Sequence, residues 1–178
     1  MTDSSMPRLA ICLYGDDNSE LELVKSICIQ RYSKFDITFF EKIHQDKFKA
    51  MWLCSFDKDC YEFDTKLLFH ICIAIDIKEY RLLDFTNIPY RIEDKVYYTS
   101  GFYKFERHYT GASPCIFFAN SILFSRACEF YLNNIPLDAL VEDSLEVRFF
   151  FHLKSYNIIT ECINYENRSL FKRTAPNS

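Results

Sequence analysis

An apolar run at residues 67–75, LLFHICIAI, constrains the fold of this chain more than any other feature. The run is interrupted only by His70 and is followed directly by Asp76. A run this short and this rich in Ile is typical of a strand buried on both faces, as in the middle of a parallel sheet. Ligands of open α/β sheets bind just beyond the carboxyl ends of such strands. Asp76 is therefore predicted either to contact a ligand or to serve as a turn residue.

The residues before this run alternate between strand patterns and helix patterns. We expect a strand at residues 8–14, a helix ending near Tyr32, a strand at 35–43, a short helix over 45–54 and then the 67–75 strand. This alternation predicts an α/β layer with right-handed crossovers. We therefore predict one α/β domain over residues 8–163, with a mixed, mostly parallel sheet flanked by helices.

The second half of the chain is less regular. It predicts strands at 95–100 and 115–119, a loop at 111–114, a helix from Asn120 or Ser121 to about Asn133, a helix at 143–154 and an edge strand at 158–163. Residues 1–7 and 164–178 lack periodicity, so we expect them to be flexible tails.

Composition argues against two classes of function. Only 3 of the 178 residues are Gly, which leaves no room for a glycine-rich phosphate loop. The net charge of −4 and the lack of a basic cluster argue against nucleic acid as the main partner.

The cysteines and the apolar runs indicate a compartment. The 8 Cys residues are dispersed without a CxxC pair, which is typical of free thiols in a reducing environment. Neither a signal peptide nor an apolar run long enough to span a membrane is visible. We therefore expect a cytoplasmic protein, whose oligomeric state the sequence leaves undetermined.

Tyr14 and Gly15 follow the first predicted strand, where a nucleotide could meet the sheet. A glycine there lets the backbone and a ligand approach each other closely. The next helix could favour an anion at its N-terminus, although the acids that precede it would repel a diphosphate. These acids suit a helix cap, for which the candidates are Asp16, Asp17, Asn18 and Ser19.

Two further acidic positions have both a functional and a structural interpretation. A divalent cation that bridges a diphosphate usually needs two carboxylates one residue apart, and Ala74 stands where the partner of Asp76 would be. Asp76 alone could still contact a ribose hydroxyl, a sugar or a metal ion. Glu142 and Asp143 either stabilise the start of a helix or lie where one of them could deprotonate an acceptor hydroxyl.

Three stretches together resemble a known group of proteins. They are ICLYG at 11–15, the 71–77 strand with DKVYY at 94–98, and FFANS at 117–121 with EDSLE at 142–146. In these stretches the chain resembles the glycosyltransferase-like proteins of bacterial polysaccharide clusters and large phages, as a short and divergent member.

The resemblance implies a GT-A-like fold that transfers a sugar from a nucleotide-diphosphate donor to a hydroxyl of a glycan acceptor. It would place Tyr14 and Gly15 beside the nucleotide. It would place Asp76 near the donor diphosphate, as the ligand of a divalent cation (Mn²⁺ or Mg²⁺). The acceptor-side base would be Glu142 or Asp143.

Two other functions stay open at this point. One is a catalytically degenerate module that binds a nucleotide-sugar or a sugar, which the alanine at position 74 favours over a transferase. The other is a phage or host-interaction protein that docks a partner through an aromatic surface. The acidic stretch at 142–146 favours the transferase.

Overall fold

The computed structural model describes residues 6–15, 18–42, 69–99, 113–133, 149 and 152–163. Within these residues, six strands form one sheet in the order β2-β1-β3-β5-β4-β6. The strands are β1 (Arg8–Tyr14), β2 (Asp36–Lys42), β3 (Ile71–Asp76), β4 (Lys95–Thr99), β5 (Ser113–Asn120) and β6 (Ile159–Cys162). The helices are α1 (Leu21–Arg31), a 3₁₀ helix (Ile77–Phe85) and α2 (Ser121–Asn133).

The sheet is mixed and mostly parallel, as the sequence predicted. Strand β1 pairs in parallel with β2 and β3, and β4 pairs in parallel with β6. Strand β5 lies between β3 and β4 and is antiparallel to both. All the strands except β5 therefore end at the same side of the sheet, which we call the carboxyl edge, and begin at the opposite side, the amino edge.

Both faces of the sheet are covered, which explains the apolar runs. Every residue of β3 is buried, because alternate side chains point to opposite faces and each face packs against helices. One face packs against α1 and the 3₁₀ helix through Leu9, Ile11, Leu13, Val24, Cys28, Leu82 and Leu83. The other packs against α2, Phe149 and Leu153 through Ala10, Cys12, Phe117, Phe124 and Ala127.

The central strand is shorter than its apolar run. It begins at Ile71, after His70, whose ring is exposed and whose Nδ1 accepts a hydrogen bond from the Arg8 N–H at 3.0 Å. Strand β5 begins at Ser113, so the predicted loop at 111–114 is wrong for its last two residues. The pairing of β4 with β5 shifts register between Tyr98 and Thr99, and this irregularity accommodates Pro114 within a central strand.

One helix start was predicted correctly and the other was not. Helix α2 begins after Asn120, whose Oδ1 accepts a hydrogen bond from the Leu123 N–H at 3.0 Å. Helix α1 instead has Glu20 at its N-cap position, with no capping hydrogen bond from its side chain. The predicted caps at Asn18 and Ser19 are therefore wrong, and Asp16 and Asp17 lie outside the described residues.

Some predictions fall partly or wholly outside the described residues. The helix expected at 45–54 lies outside them, as do the whole of the 164–178 tail and the N-terminal residues 1–5. Of the helix expected at 143–154, residues 149 and 152–154 are described and helical, and the helical turn extends to residue 155. No helix among the described residues is long and apolar enough to cross a membrane.

Candidate functional site

The chain order places a topological switch point between β1 and β3. From β1 the chain continues to β2 on one side, whereas β3 lies on the other side of β1. Adjacent connections therefore leave the sheet in opposite directions, and the ligands of open α/β sheets bind beyond the carboxyl ends of the strands at such a point. Tyr14 and Asp76, the last residues of these two strands, are register partners. The structure thus brings together three residues that the sequence had singled out, Tyr14, Gly15 and Asp76.

The backbone conformation at position 15 requires a glycine. Its φ is 153°, a value that residues with a side chain rarely adopt. A Cβ atom placed at Gly15 would lie 3.8 Å from the Cβ of Ile77 and 3.9 Å from Oδ1 of Asp76, both ordinary van der Waals distances. The glycine therefore permits the turn out of β1, and its backbone lies against the first residues that follow β3.

The Tyr14 side chain belongs to the core. It is 1 % exposed and lies in the cluster that also holds Phe117 and Phe124. Its position at the end of β1 is as predicted, but its ring packs beneath α2. A contact of this residue with a ligand at the carboxyl edge stays a prediction.

Asp76 has a structural role that the geometry shows directly. Its side chain is 1 % exposed, and its Oδ1 accepts a hydrogen bond from the Lys78 N–H at 3.1 Å. Asp76 therefore caps the 3₁₀ helix, since a carboxylate satisfies amide groups that have no partner in the first helical turn. This is the strand-end interpretation of Asp76; a ligand contact by the same residue stays a prediction.

Ala74 lies too far inside the sheet to contribute to a site at the edge. It pairs with Cys12 of β1 and Phe117 of β5, is 2 % exposed, and belongs to the core cluster beneath α2. A carboxylate at this position would be buried among apolar side chains. Among the described residues, no group of three or more His, Cys, Asp or Glu side chains could hold a metal ion. The described donors at the switch point therefore do not fit a divalent cation held by paired carboxylates.

The predicted acceptor-side acids cannot be placed against this site. Glu142 and Asp143 lie outside the described residues. The nearest described residue that follows them, Phe149, is fully buried on the face of the sheet that packs against α2. Whether either acid reaches the switch point therefore stays a prediction.

Sequence reasoning missed two residues at the carboxyl edge. Thr99 ends β4, is fully buried, and donates a hydrogen bond from its hydroxyl to the carbonyl oxygen of Ile116 at 3.3 Å. Lys78 is exposed and follows Asp76 by two residues. Their positions in the sequence could have identified them as edge residues. Thr99 lies near the end of the predicted 95–100 strand, and Lys78 follows the apolar run.

The groups with strongly perturbed pKa values on the α1 side of the sheet serve packing. Burial raises the pKa of the Cys28 thiol to about 12. Burial also raises the pKa of Tyr32, whose hydroxyl donates a hydrogen bond to the Thr86 carbonyl oxygen at 2.8 Å. Cys28 of α1 and Tyr32, which follows this helix, both belong to the apolar cluster between α1 and the sheet, so these shifts reflect desolvation in the core.

The fold and the site together define an open α/β protein with a glycine turn and an aspartate at its switch point. Comparisons with known protein families, curated proteins and solved structures give no significant match. The class of the protein therefore rests on its sheet topology.

Proposed function

We propose that this chain is a glycosyltransferase-like protein that binds a nucleotide-diphosphate sugar at the switch point between β1 and β3. The observation that carries the proposal is the register pairing of Tyr14 with Asp76 beside Gly15. These residues were selected from two separate segments of the sequence, and they adjoin at the edge where open α/β sheets bind their ligands.

The architecture supports this choice of ligand. A parallel half-sheet with a glycine turn at its switch point suits a nucleotide, because the backbone can approach the ligand closely. Helix α1 begins at Leu21, after that turn, and a helix N-terminus favours an anion such as a diphosphate, although Glu20 and Glu22 place negative charge at this one. A mixed sheet with one reversed strand is also compatible with the GT-A-like fold that the sequence resemblance implies.

The proposed reaction is a displacement at the anomeric carbon of the donor sugar. A hydroxyl oxygen of the glycan acceptor forms a bond to this carbon, and the bond from the carbon to the diphosphate oxygen breaks with its electron pair on the diphosphate. Glu142 or Asp143 takes the proton of the acceptor hydroxyl as general base. Positive charge from the protein has to offset the charge that develops on the leaving diphosphate.

A second candidate function shares the ligand but lacks the reaction. A catalytically degenerate module would bind a nucleotide-sugar or a sugar without transferring it. The packing of Ala74 inside the core favours this function, because the paired carboxylates of a metal-dependent transferase have no room there.

Thermal stability in the presence of ligands tests both functions. We expect at least one nucleotide-diphosphate sugar from a panel to raise the melting temperature, since a ligand that binds only the folded state stabilises it. If no member of the panel raised it, both sugar-binding functions would be wrong and a protein-interaction role would be favoured.

Donor hydrolysis then separates the transferase from the binding module. For a transferase, the unsubstituted protein hydrolyses or transfers the donor, and Asp143→Asn or Glu142→Gln lowers the rate while binding is retained. Asp94→Asn, at the amino edge of the sheet, is the matched control and should leave the rate unchanged. Binding without any turnover would favour the degenerate module.

A further inference from the structure

We infer that Asp76 acts as a positioning residue and that ligand binding at the switch point does not depend on a divalent cation. This inference rests on the proposed function, because it concerns how the same site holds its nucleotide-diphosphate sugar. It differs from what the sequence resemblance implies, in which Asp76 is a ligand of Mn²⁺ or Mg²⁺. Three features of the described residues support it.

The first feature is the state of the Asp76 carboxylate. It is 1 % exposed, and Oδ1 is engaged by the Lys78 N–H. Mg²⁺ takes about six oxygen ligands and gives up its bound water reluctantly. A carboxylate that is enclosed by protein and holds a helix start is therefore poorly placed to receive a hydrated cation.

The second feature is the position of Ala74, which lies two residues before Asp76 on β3. Residues 74 and 76 point to the same face of the sheet, since side chains alternate along a strand. Ala74 is nevertheless enclosed between Cys12 and Phe117 beneath α2. The strand can therefore offer only its terminal carboxylate at the edge, which leaves one of the two carboxylates that a bridging cation needs.

The third feature is what the cap holds in place. The hydrogen bond from the Lys78 N–H fixes the first turn after β3, and this turn contains Ile77. Ile77 and the Asp76 carboxylate are the nearest neighbours of the space where a Gly15 side chain would be. Asp76 thus fixes the surface on which a ligand that approaches the Gly15 backbone would lie.

Two substitutions at position 76 separate positioning from metal binding. Asp76→Asn keeps an oxygen that can accept the Lys78 hydrogen bond but removes the charge that a cation needs. Asp76→Ala removes both. Asp84→Asn, an exposed position in the same 3₁₀ helix, is the control for the loss of one acidic charge.

The measurement is the dissociation constant of the panel member that gives the largest thermal shift, taken in MnCl₂ and in EDTA. We expect the natural protein to bind equally well in both conditions. Asp76→Asn should stay within about threefold of it, a difference of less than 1 kcal/mol. Asp76→Ala should bind at least about tenfold more weakly, which corresponds to 1.4 kcal/mol.

Each other outcome has a definite meaning. Binding that requires MnCl₂ and is lost in Asp76→Asn would overturn this inference and leave the proposed function standing. If Asp76→Ala folded and bound as well as the natural protein, the positioning role would be wrong. If Asp76→Ala did not fold, comparing the binding of Asp76→Asn in MnCl₂ and in EDTA would still decide whether ligand binding depends on a divalent cation. No binding in either condition would overturn the proposed function, and this inference with it.

Discussion

The amino edge of the sheet and the ends of β1, β3 and β4 at the carboxyl edge hold their polar residues in different ways. At the amino edge the polar groups are exposed or half-buried: Asn120 donates a hydrogen bond from Nδ2 to Oδ1 of Asp94 at 2.9 Å, and Lys95 pairs with Glu93 and Glu161. At the carboxyl edge Gly15, Asp76 and Thr99 are buried, whereas Glu41 near the end of β2 is exposed and pairs with Lys25.

The difference between the edges supports the proposed location of the binding site. Exposed ion pairs require little desolvation and contribute little to folding stability, so the amino edge resembles an ordinary protein surface. Buried polar groups are costly unless their positions are fixed by hydrogen bonds. Asp76 and Thr99 each make such a bond within the fold. Asp76 and Thr99 therefore have fixed positions at the carboxyl edge, and this property suits a binding site.

The largest loss of folding stability is expected from a charged side chain placed two residues before the carboxyl end of β3. Ala74→Asp should destabilise the fold by at least about 3 kcal/mol, because it buries a carboxylate among apolar side chains. Urea denaturation monitored by circular dichroism measures the loss. Thr38→Asp, on an exposed position of β2, is the control and should cost about 1 kcal/mol or less. A well-folded Ala74→Asp protein would mean that position 74 belongs to the edge after all.

Gly15→Ala is expected to have the next largest effect. The substitution should cost about 1–3 kcal/mol, since alanine must adopt an unfavourable φ at this position. Its Cβ has room, so the cost should come from the backbone alone. Ser26→Ala on the exposed side of α1 provides a control in the same denaturation experiment. An unchanged free energy of unfolding for Gly15→Ala would contradict the described turn.

At the amino edge, Asn120→Ala should cost about 1 kcal/mol, the usual cost of losing a helix cap. Asn120→Asp keeps an acceptor for the Leu123 N–H but places a second carboxylate beside Asp94. We therefore expect Asn120→Asp to be more stable at acidic than at neutral pH, relative to the natural protein. Ligand affinity should be unchanged in both variants, because this edge lies opposite the proposed site. If either Asn120 variant bound the ligand more weakly, the proposed separation of the binding site from the amino edge would be wrong.

The smallest effect is expected at Lys95. Hydrogen bonds to Glu93 and Glu161 raise the pKa of Lys95, so its charged form is favoured in the folded state. A raised pKa means that the contribution to stability is present below the unfolded value of about 10.4 and is lost as the pH rises through the folded value. The effect should be small, since the pairs are exposed to solvent.

Lys95→Met tests whether the Lys95 ion pairs contribute only a small amount to folding stability. The variant should lose the dependence of stability on salt and on alkaline pH that these pairs give the natural protein, and little else. Thermal denaturation at low and high salt measures the difference. A large loss of stability at neutral pH would show that the amino edge is not an ordinary surface.

The part of the fold that could be predicted from the sequence is the part encoded by local patterns. Strands β1 and β2, helix α1 and helix α2 follow the predicted boundaries closely, because each has a clear period or apolar run. The joining of Tyr14 and Asp76 also followed from the sequence, since parallel strands end at the same edge. Edge strand β6 alternates in exposure as a half-buried strand should.

The remaining features depend on contacts between distant segments. No local pattern specifies that β5 inserts between β3 and β4, although its residues 116–119 are buried on both faces as in a central strand. The core position of Ala74 depends on α2, which follows more than forty residues later in the chain. The 3₁₀ helix was not predicted, because its nine residues are short for a recognisable helical period.

The location of ligand binding tests the central claim most directly. Amide chemical shifts of the isotope-labelled protein, recorded while the best nucleotide-diphosphate sugar is added, report which edge it contacts. We predict that the amides of Gly15, Ile77 and Lys78 shift together and saturate, while those of Asp94, Lys95 and Asn120 do not. Shifts confined to the amino edge, with the Gly15 and Ile77 signals unmoved, would contradict this account.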